Sequence, residues 1–281
     1  MAERRRRRRN SARNNALPPL LQLLVCLRFF ATGAFHKLIG DSFNVSECTV
    51  GRCRAVASAI VSVRGDFIQF PKDHKARETK QEFLKNAGFP NVLGCIDGTF
   101  VRIIGPSENE ADFVNRKGFH SLNVRMVCGA KFKFTSVCAT WPGSVHYSRV
   151  WRESALCRQF EQGEHNGFLL GDSGYPCRRY LMTPYLNPAI DAQQRFNASL
   201  CRTRVLVEQS FGIIKRRFAC LQATLMTNPD QAATYVVACV VLHNLGIEKG
   251  DVMDKACDAA DAYQADHYVH SLQRSRGKPH A

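Results

Sequence analysis

Between residues 20 and 88, apolar side chains recur every three or four positions, the period of helices that bury one face. Residues 20–30 are dense enough in apolar side chains for a core helix, which Pro18 and Pro19 can open. Ala31-Thr32-Gly33 breaks it, and Phe35, Leu38, Ile39 and Phe43 then mark a second helical face. After the turn Asn44-Val45-Ser46, Ser46 can cap a helix over 47–62 whose buried face is Val50, Cys53, Val56, Ala57, Ile60 and Val61. Residues 72–88 read as a charged amphipathic helix that ends at Gly88, with Pro90 beyond. Two helices joined by a short turn and preceded by a third have helix-turn-helix logic; a plain three-helix bundle shares the pattern.

From residue 91 the pattern changes. NVLGCIDGTFVRII is rich in β-branched and bulky residues and predicts a buried strand that delivers Asp97 at its end, with Gly98 directly behind. A polar stretch follows, GPSENEADFVNRKGFHSLN, long enough for a functional surface loop. Strand-like runs at 122–129 and 132–141 complete an antiparallel meander, and 148–160 reads as one helix. A fourth strand over 167–171 is again followed by an acid, Asp172. Pro176, Pro184 and Pro188 forbid a long helix after it, and 191–200 is polar. RTRVLVEQSFGIIKRRFACL then gives a strong helix with Val207, Phe211, Ile214 and Phe218 as its buried stripe. Glu208 lies one residue from that stripe, with Arg204 one turn before and Gly212 one turn after. The plain reading of Glu208 is a surface residue paired with Arg204; the presence of Gly212 suggests close approach of something else. Pro229 opens a last apolar helix over 232–245, where His243 reads as a satisfied core histidine in preference to a ligand.

Charge sharpens this picture. Against 24 acidic residues stand 39 basic ones, a net +15, and seven Arg and one Glu in the first fifteen residues account for +6 of it. A basic body behind a basic tail suggests a polyanionic partner, most simply nucleic acid, over charge that serves solubility alone. The run Arg4 to Arg9 fits a nuclear-import or nucleic-acid-binding patch. A secretory leader is the competing reading, which Gln22 within the apolar stretch and Arg28 after it oppose. Twelve cysteines without any CxxC spacing read as buried thiols, with a disulfide framework as the alternative.

Three acids therefore occupy related places: Asp97 and Asp172 at strand ends and Glu208 on a later helix. Carboxylates brought together repel one another unless a cation neutralises them, and an oxygen-only set suits Mg²⁺ or Mn²⁺. Two such ions can assist phosphodiester cleavage, with Arg102, Arg178, Arg179, Arg202, Arg204 and Lys215 nearby to hold a nucleic-acid backbone.

The strings LRFFATGAFHKLIGDSFNVS, GCIDGT, WPGSVHYSRVW, LLGDSGYP with LMTP, RTRVLVEQSFGIIKRRF and VVLHN span most of residues 20–246. Together they resemble the PIF/Harbinger superfamily of DDE transposases, and more closely the domesticated Harbinger transposase-derived nucleases of animals. The resemblance implies an α/β fold: an RNase H-like mixed sheet flanked by helices, behind a small all-α helix-turn-helix region. The implied organisation is a basic tail over 1–15, the helical region over 16–88, the endonuclease domain over 89–248 and a flexible tail over 249–281. It carries the catalytic, metal-holding acids onto Asp97, Asp172 and Glu208. It further implies a Myb/SANT-like partner protein, and a nuclear location with a cytoplasmic pool. Two positions depart from the family pattern. Tyr147 stands where an acid commonly follows the His of the WPGSxH string, and Phe100 where a His is frequent. The expected activity is metal-dependent DNA cleavage without autonomous transposition; the alternative is an impaired relative that serves as a DNA-binding adaptor.

Overall fold

The computed structural model describes residues 17–251. The tail over 1–15, its import reading, and the expected tail beyond Asp251 lie outside the described residues.

Among the described residues, six helices precede the sheet: α1 (Pro19–Thr32), α2 (His36–Phe43), α3 (Glu47–Val50), α4 (Cys53–Ser62), α5 (Arg64–Phe67) and α6 (Asp73–Ala87). Pro19 sits in the first turn of α1, where its missing N–H costs nothing. Ser46 caps α3, its side chain accepting from the Thr49 N–H at 3.3 Å. The single helix expected over 47–62 is two, because the chain turns at Gly51 and Arg52, where a poor helix former follows the first turn. Gly88 ends α6 with a φ of 69°, a left-handed conformation that a glycine adopts without penalty.

The sheet has the strand order β3-β2-β1-β4-β5. Strands β1 (Val92–Arg102), β2 (Ser121–Cys128) and β3 (Phe134–Pro142) form the expected antiparallel meander. Strand β4 (Phe168–Leu170) pairs parallel to β1, and β5 (Leu181–Met182) parallel to β4. Such a mixed sheet with flanking helices is the RNase H-like α/β architecture. β5 escapes the sequence pattern because two residues carry no periodicity and a parallel partner is supplied only by folding.

Between these strands lie α7 (Glu110–Phe113), α8 (Tyr147–Arg152) and α9 (Ala155–Glu161), followed by α10 (Asp191–Arg217) and α11 (Pro229–Glu248). The expected helix over 148–160 is interrupted at Ser154, which caps α9 by accepting from the Cys157 N–H at 3.2 Å. Helix α10 begins eleven residues before the strong stretch that starts at Arg202. Its polar first half is used: Asn197 bonds the backbone N–H and C=O of Tyr185 at 2.9 and 2.8 Å, and Phe196 packs edge-on to Phe89. Asp191 in the first turn and Lys215, Arg216 and Arg217 in the last also match the helix dipole.

One core cluster joins Val25, Phe30 and Cys53 of the N-terminal helices to Val101, Met126, Ile214 and Val236, so these helices share a core with the sheet. A second lies on the opposite face, around Ile96, Trp151, Phe160 and Tyr175. His243 is a core histidine. It is fully buried, bonded through Nε2 to the Phe132 carbonyl at 2.9 Å, and desolvation holds its pKa down at about 4. No helix among the described residues is long and apolar enough to cross a membrane.

Asn244 ties three segments together. Its Oδ1 accepts from the Phe134 N–H at 2.9 Å, and its amide donates to the Phe134 and Phe67 carbonyls at 2.7 and 2.9 Å. Asn244→Ala leaves these buried groups without their partner and is expected to cost about 2–4 kcal/mol, read as a lowered urea midpoint. A midpoint unchanged from wild type would show that the three segments hold together without it.

Candidate active site

Parallel pairing of β1 with β4 builds the site. The register ends at Cys95 opposite Leu170, so two residues further along each chain stand Asp97 and Asp172. Asp97 is therefore not at the end of its strand, as its sequence suggested. β1 continues to Arg102 against β2, with Asp97 opposite Met126, and only its pairing with β4 stops. Side chains alternate along a strand, and Cys95 Sγ lies 3.6 Å from the Thr203 carbonyl of α10. Asp97, two residues on, therefore faces α10 as well.

Helix α10 brings Arg204, almost fully buried, against that acid. Its Nη2 donates to Asp97 Oδ2 at 3.1 Å, while the Gly98 N–H donates to Oδ1 at 2.7 Å. Arg204 therefore does not stand ready for a phosphate, as the sequence suggested, nor is Glu208 its first partner. Glu208 lies on α10 with an exposed side chain, and its charge nevertheless acts on Asp97 and on Arg204. Gly212 has open space around it, so no close approach explains that residue.

The balance of charge can be read from the titrating groups. Burial pushes the Asp97 carboxyl up to about 6; Arg204 opposes the shift, and Asp172 and Glu208 add to it. Arg204 is raised above its ordinary range by Asp97, Asp172 and Glu208, which together outweigh the cost of its burial. Three carboxylates thus act on one buried guanidinium. They do not form a ready cage, however: among the described residues, no three His, Cys, Asp or Glu side chains converge as a cluster able to hold a metal ion.

Asp172 is held from the other side of the sheet. Its Oδ1 accepts from the Gly174 N–H at 3.1 Å, and its Oδ2 from the Tyr147 hydroxyl at 3.1 Å. Tyr147 opens α8 and stacks on His146 at 4.3 Å, with Tyr175 at 5.0 Å. Desolvation first, then the Asp172 carboxylate, pushes this phenol up to about 12, so it remains a neutral donor. The other substituted position, Phe100, packs edge-on to Phe119, over which the Arg102 guanidinium sits at 3.8 Å.

The rim is basic. Lys215 donates to Thr99 Oγ1 at 2.7 Å; burial lowers its pKa, and the nearby Lys117 charge lowers it further. Arg116 lies 5.9 Å from the Tyr147 ring centre. Arg116 and Lys117 were not among the basic residues singled out from sequence, although the polar stretch that carries them was recognisable as a functional loop.

The Asp97 shift predicts a pH dependence. A carboxyl whose folded pKa exceeds its unfolded value binds more protons in the folded state, so it subtracts stability as pH rises. With chelator present, wild type should lose up to about 3 kcal/mol relative to Asp97→Asn between pH 4 and pH 6, measured by urea unfolding. The opposite slope would mean that Arg204 wins over desolvation and the neighbouring acids.

Comparison with known proteins places this geometry. The DDE superfamily endonuclease family matches residues 96–244, the stretch that contains Asp97, Asp172 and Glu208. The protein named "Putative nuclease HARBI1" of Homo sapiens is 37% identical over 242 residues, covering 84% of this chain and 69% of its own. Its Xenopus laevis counterpart is 34% identical over 240 residues, 83% of this chain and 69% of that one. The Arabidopsis thaliana "Protein ALP1-like" is 26% identical over 250 residues, 82% and 61% of the two chains. No solved structure gives a significant match. A mixed sheet with an acid two residues past the last β1–β4 pair on each chain segment, joined to this similarity along most of the chain, makes the chain a member of the Harbinger transposase-derived family of DDE superfamily endonucleases.

Proposed function

We propose that this chain is a transposase-derived, metal-dependent nuclease that cleaves DNA phosphodiester bonds and does not transpose autonomously. One observation carries the reading: β1 and β4 each present an acid two residues past their last pair, Asp97 and Asp172, and α10 lays the buried Arg204 on Asp97, with Glu208 one turn further along the same helix. Three carboxylates share one cation, and burial first, with Asp172 and Glu208 behind it, pushes the Asp97 carboxyl upward. An oxygen-only donor set with surplus negative charge suits a hard divalent cation such as Mg²⁺ or Mn²⁺. DDE superfamily endonucleases generally use such metals.

Asp97, Asp172 and Glu208 are the residues that would hold the metal. When bound, it would supply Lewis-acid stabilisation of the phosphoryl oxygens and a more acidic attacking water. The chain's own side chains do the rest. Lys215, Lys117 and Arg116 attract the phosphate backbone to the rim, and Thr99 holds the Lys215 amino group in place. Arg204 keeps Asp97 oriented toward α10. The helix-turn-helix-like region with the basic N-terminal tail would add DNA contacts, and a Myb/SANT-like partner would supply specificity or nuclear import. The proposed location is the nucleus, with a cytoplasmic pool.

A second reading has its own support. The absence of a three-residue metal cluster among the described residues, with Tyr147 bonded to Asp172, favours a DNA-binding adaptor that kept the fold without turnover.

Plasmid nicking distinguishes the two. With Mg²⁺ or Mn²⁺ the wild type is expected to nick supercoiled DNA, chelator to stop it, and Asp97→Ala or Glu208→Ala to slow it at least about a hundredfold. Equal nicking by wild type and both variants would assign the cleavage to a contaminant and leave the adaptor reading.

A further inference from the structure

Both oxygens of Asp97 and of Asp172 already accept a hydrogen bond from the protein itself. Asp97 accepts from the Gly98 N–H at 2.7 Å and from Arg204 Nη2 at 3.1 Å, one donor for each oxygen. Asp172 repeats the scheme, with the Gly174 N–H at 3.1 Å on one oxygen and the Tyr147 hydroxyl at 3.1 Å on the other. Each acid thus has one local backbone donor and one side-chain donor that arrives from a distant element. The backbone donors are consequences of the turn after each acid. The side-chain donors come from opposite layers, Arg204 from α10 and Tyr147 from α8.

We propose that Tyr147 is a positioning residue that competes for Asp172. With Arg204 on Asp97, it locks the acid pair in a closed arrangement that a divalent cation must open in order to bind. The inference rests on the metal-dependent reading given above and goes beyond it. That reading gives Tyr147 no part; here its hydroxyl is an active competitor.

The backbone around the ring is shaped for it. A Cβ on Gly174 would collide with the Tyr147 hydroxyl and the ring carbon that bears it. A Cβ on Gly98 would meet the Tyr147 Cβ at 3.3 Å, tighter than ordinary van der Waals contact. The ring is held between His146 and Tyr175 as well. Phenylalanine would fill that space equally well, so only the hydroxyl distinguishes a lock from packing. A hydrogen bond to a carboxylate is among the stronger ones in a protein, and it must be broken or shared before a cation draws on the same oxygen.

The test is Mn²⁺ binding to the full chain, followed by isothermal titration calorimetry, for wild type, Tyr147→Phe and Gly174→Ala. Tyr147→Phe removes the hydroxyl and keeps the ring. Gly174→Ala keeps the hydroxyl and sets a Cβ where it now lies, so that either the hydroxyl or the Gly174 N–H must give up its place on Asp172. Both variants are expected to bind Mn²⁺ about tenfold more tightly than wild type, the factor that loss of one charge-assisted hydrogen bond sets. Adding Asp172→Asn to Tyr147→Phe should abolish the gain, because the freed oxygen is then no longer a carboxylate. Wild-type or weaker affinity in a Tyr147→Phe protein that melts like wild type would overturn the lock and leave the metal-dependent reading standing. Absence of Mn²⁺ uptake by wild type, Tyr147→Phe and Gly174→Ala alike would overturn both. If wild type alone fails to bind, the lock holds in its strongest form.

Discussion

A buried guanidinium surrounded by more negative charge than it offsets is the constraint on which the site depends. Arg204 is enclosed between α10 and the sheet and reaches Asp97, while Asp172 and Glu208 act on it from further away. Neither charge could be buried alone at this position without a large desolvation penalty. The pair therefore fixes how α10 lies on β1. It places Cys95 under Thr203 and, about three turns further along the helix, the Lys215 amino group on Thr99. Asp97 remains strained electrostatically even so, because burial and two further acids outweigh one cation.

The opposite face has a counterpart with a different solution. Arg125, opposite Gly98 on β2, is buried against the Trp151 ring at 5.5 Å. Its Nη2 contacts Ser136 at 3.5 Å, and desolvation lowers its pKa. Tyr175, also buried, lies in the same layer and packs on Tyr147. Each face of the sheet thus buries one guanidinium, Arg204 bonded to Asp97 and Arg125 lying against an aromatic ring.

Much of the fold was legible in the residues because burial leaves a period. The meander, the cap at Ser46, the end of α6 at Gly88 and the stripe Val207, Phe211, Ile214 and Phe218 follow from local chemistry and spacing. What escaped was structure whose cause lies elsewhere in the chain. The first half of α10 looked too polar for a helix, but Asn197 serves the 185 loop and Phe196 reaches Phe89. Helices α8 and α9 looked continuous, because the hydroxyl of Ser154 only stops a helix if it turns back to cap the next one. β5 is two residues long and exists because β4 offers it an edge.

The acids divide along the same line. The sequence by itself determined that Asp97, Asp172 and Glu208 are the acids to consider. Two of them follow short apolar runs and the third flanks a helical stripe, signals that need only nearest neighbours along the chain. Tertiary structure alone decided who their partners are. Arg204 looked like a helix-surface residue beside Glu208, or a phosphate contact, and folding turned it inward to Asp97, 107 positions away in the chain. Tyr147 stood out in the sequence only as a departure from a commonly acidic position, and folding made it a donor to Asp172. Spacing along a chain fixes which face a side chain occupies, whereas a hydrogen bond between layers depends on how two faces are laid together.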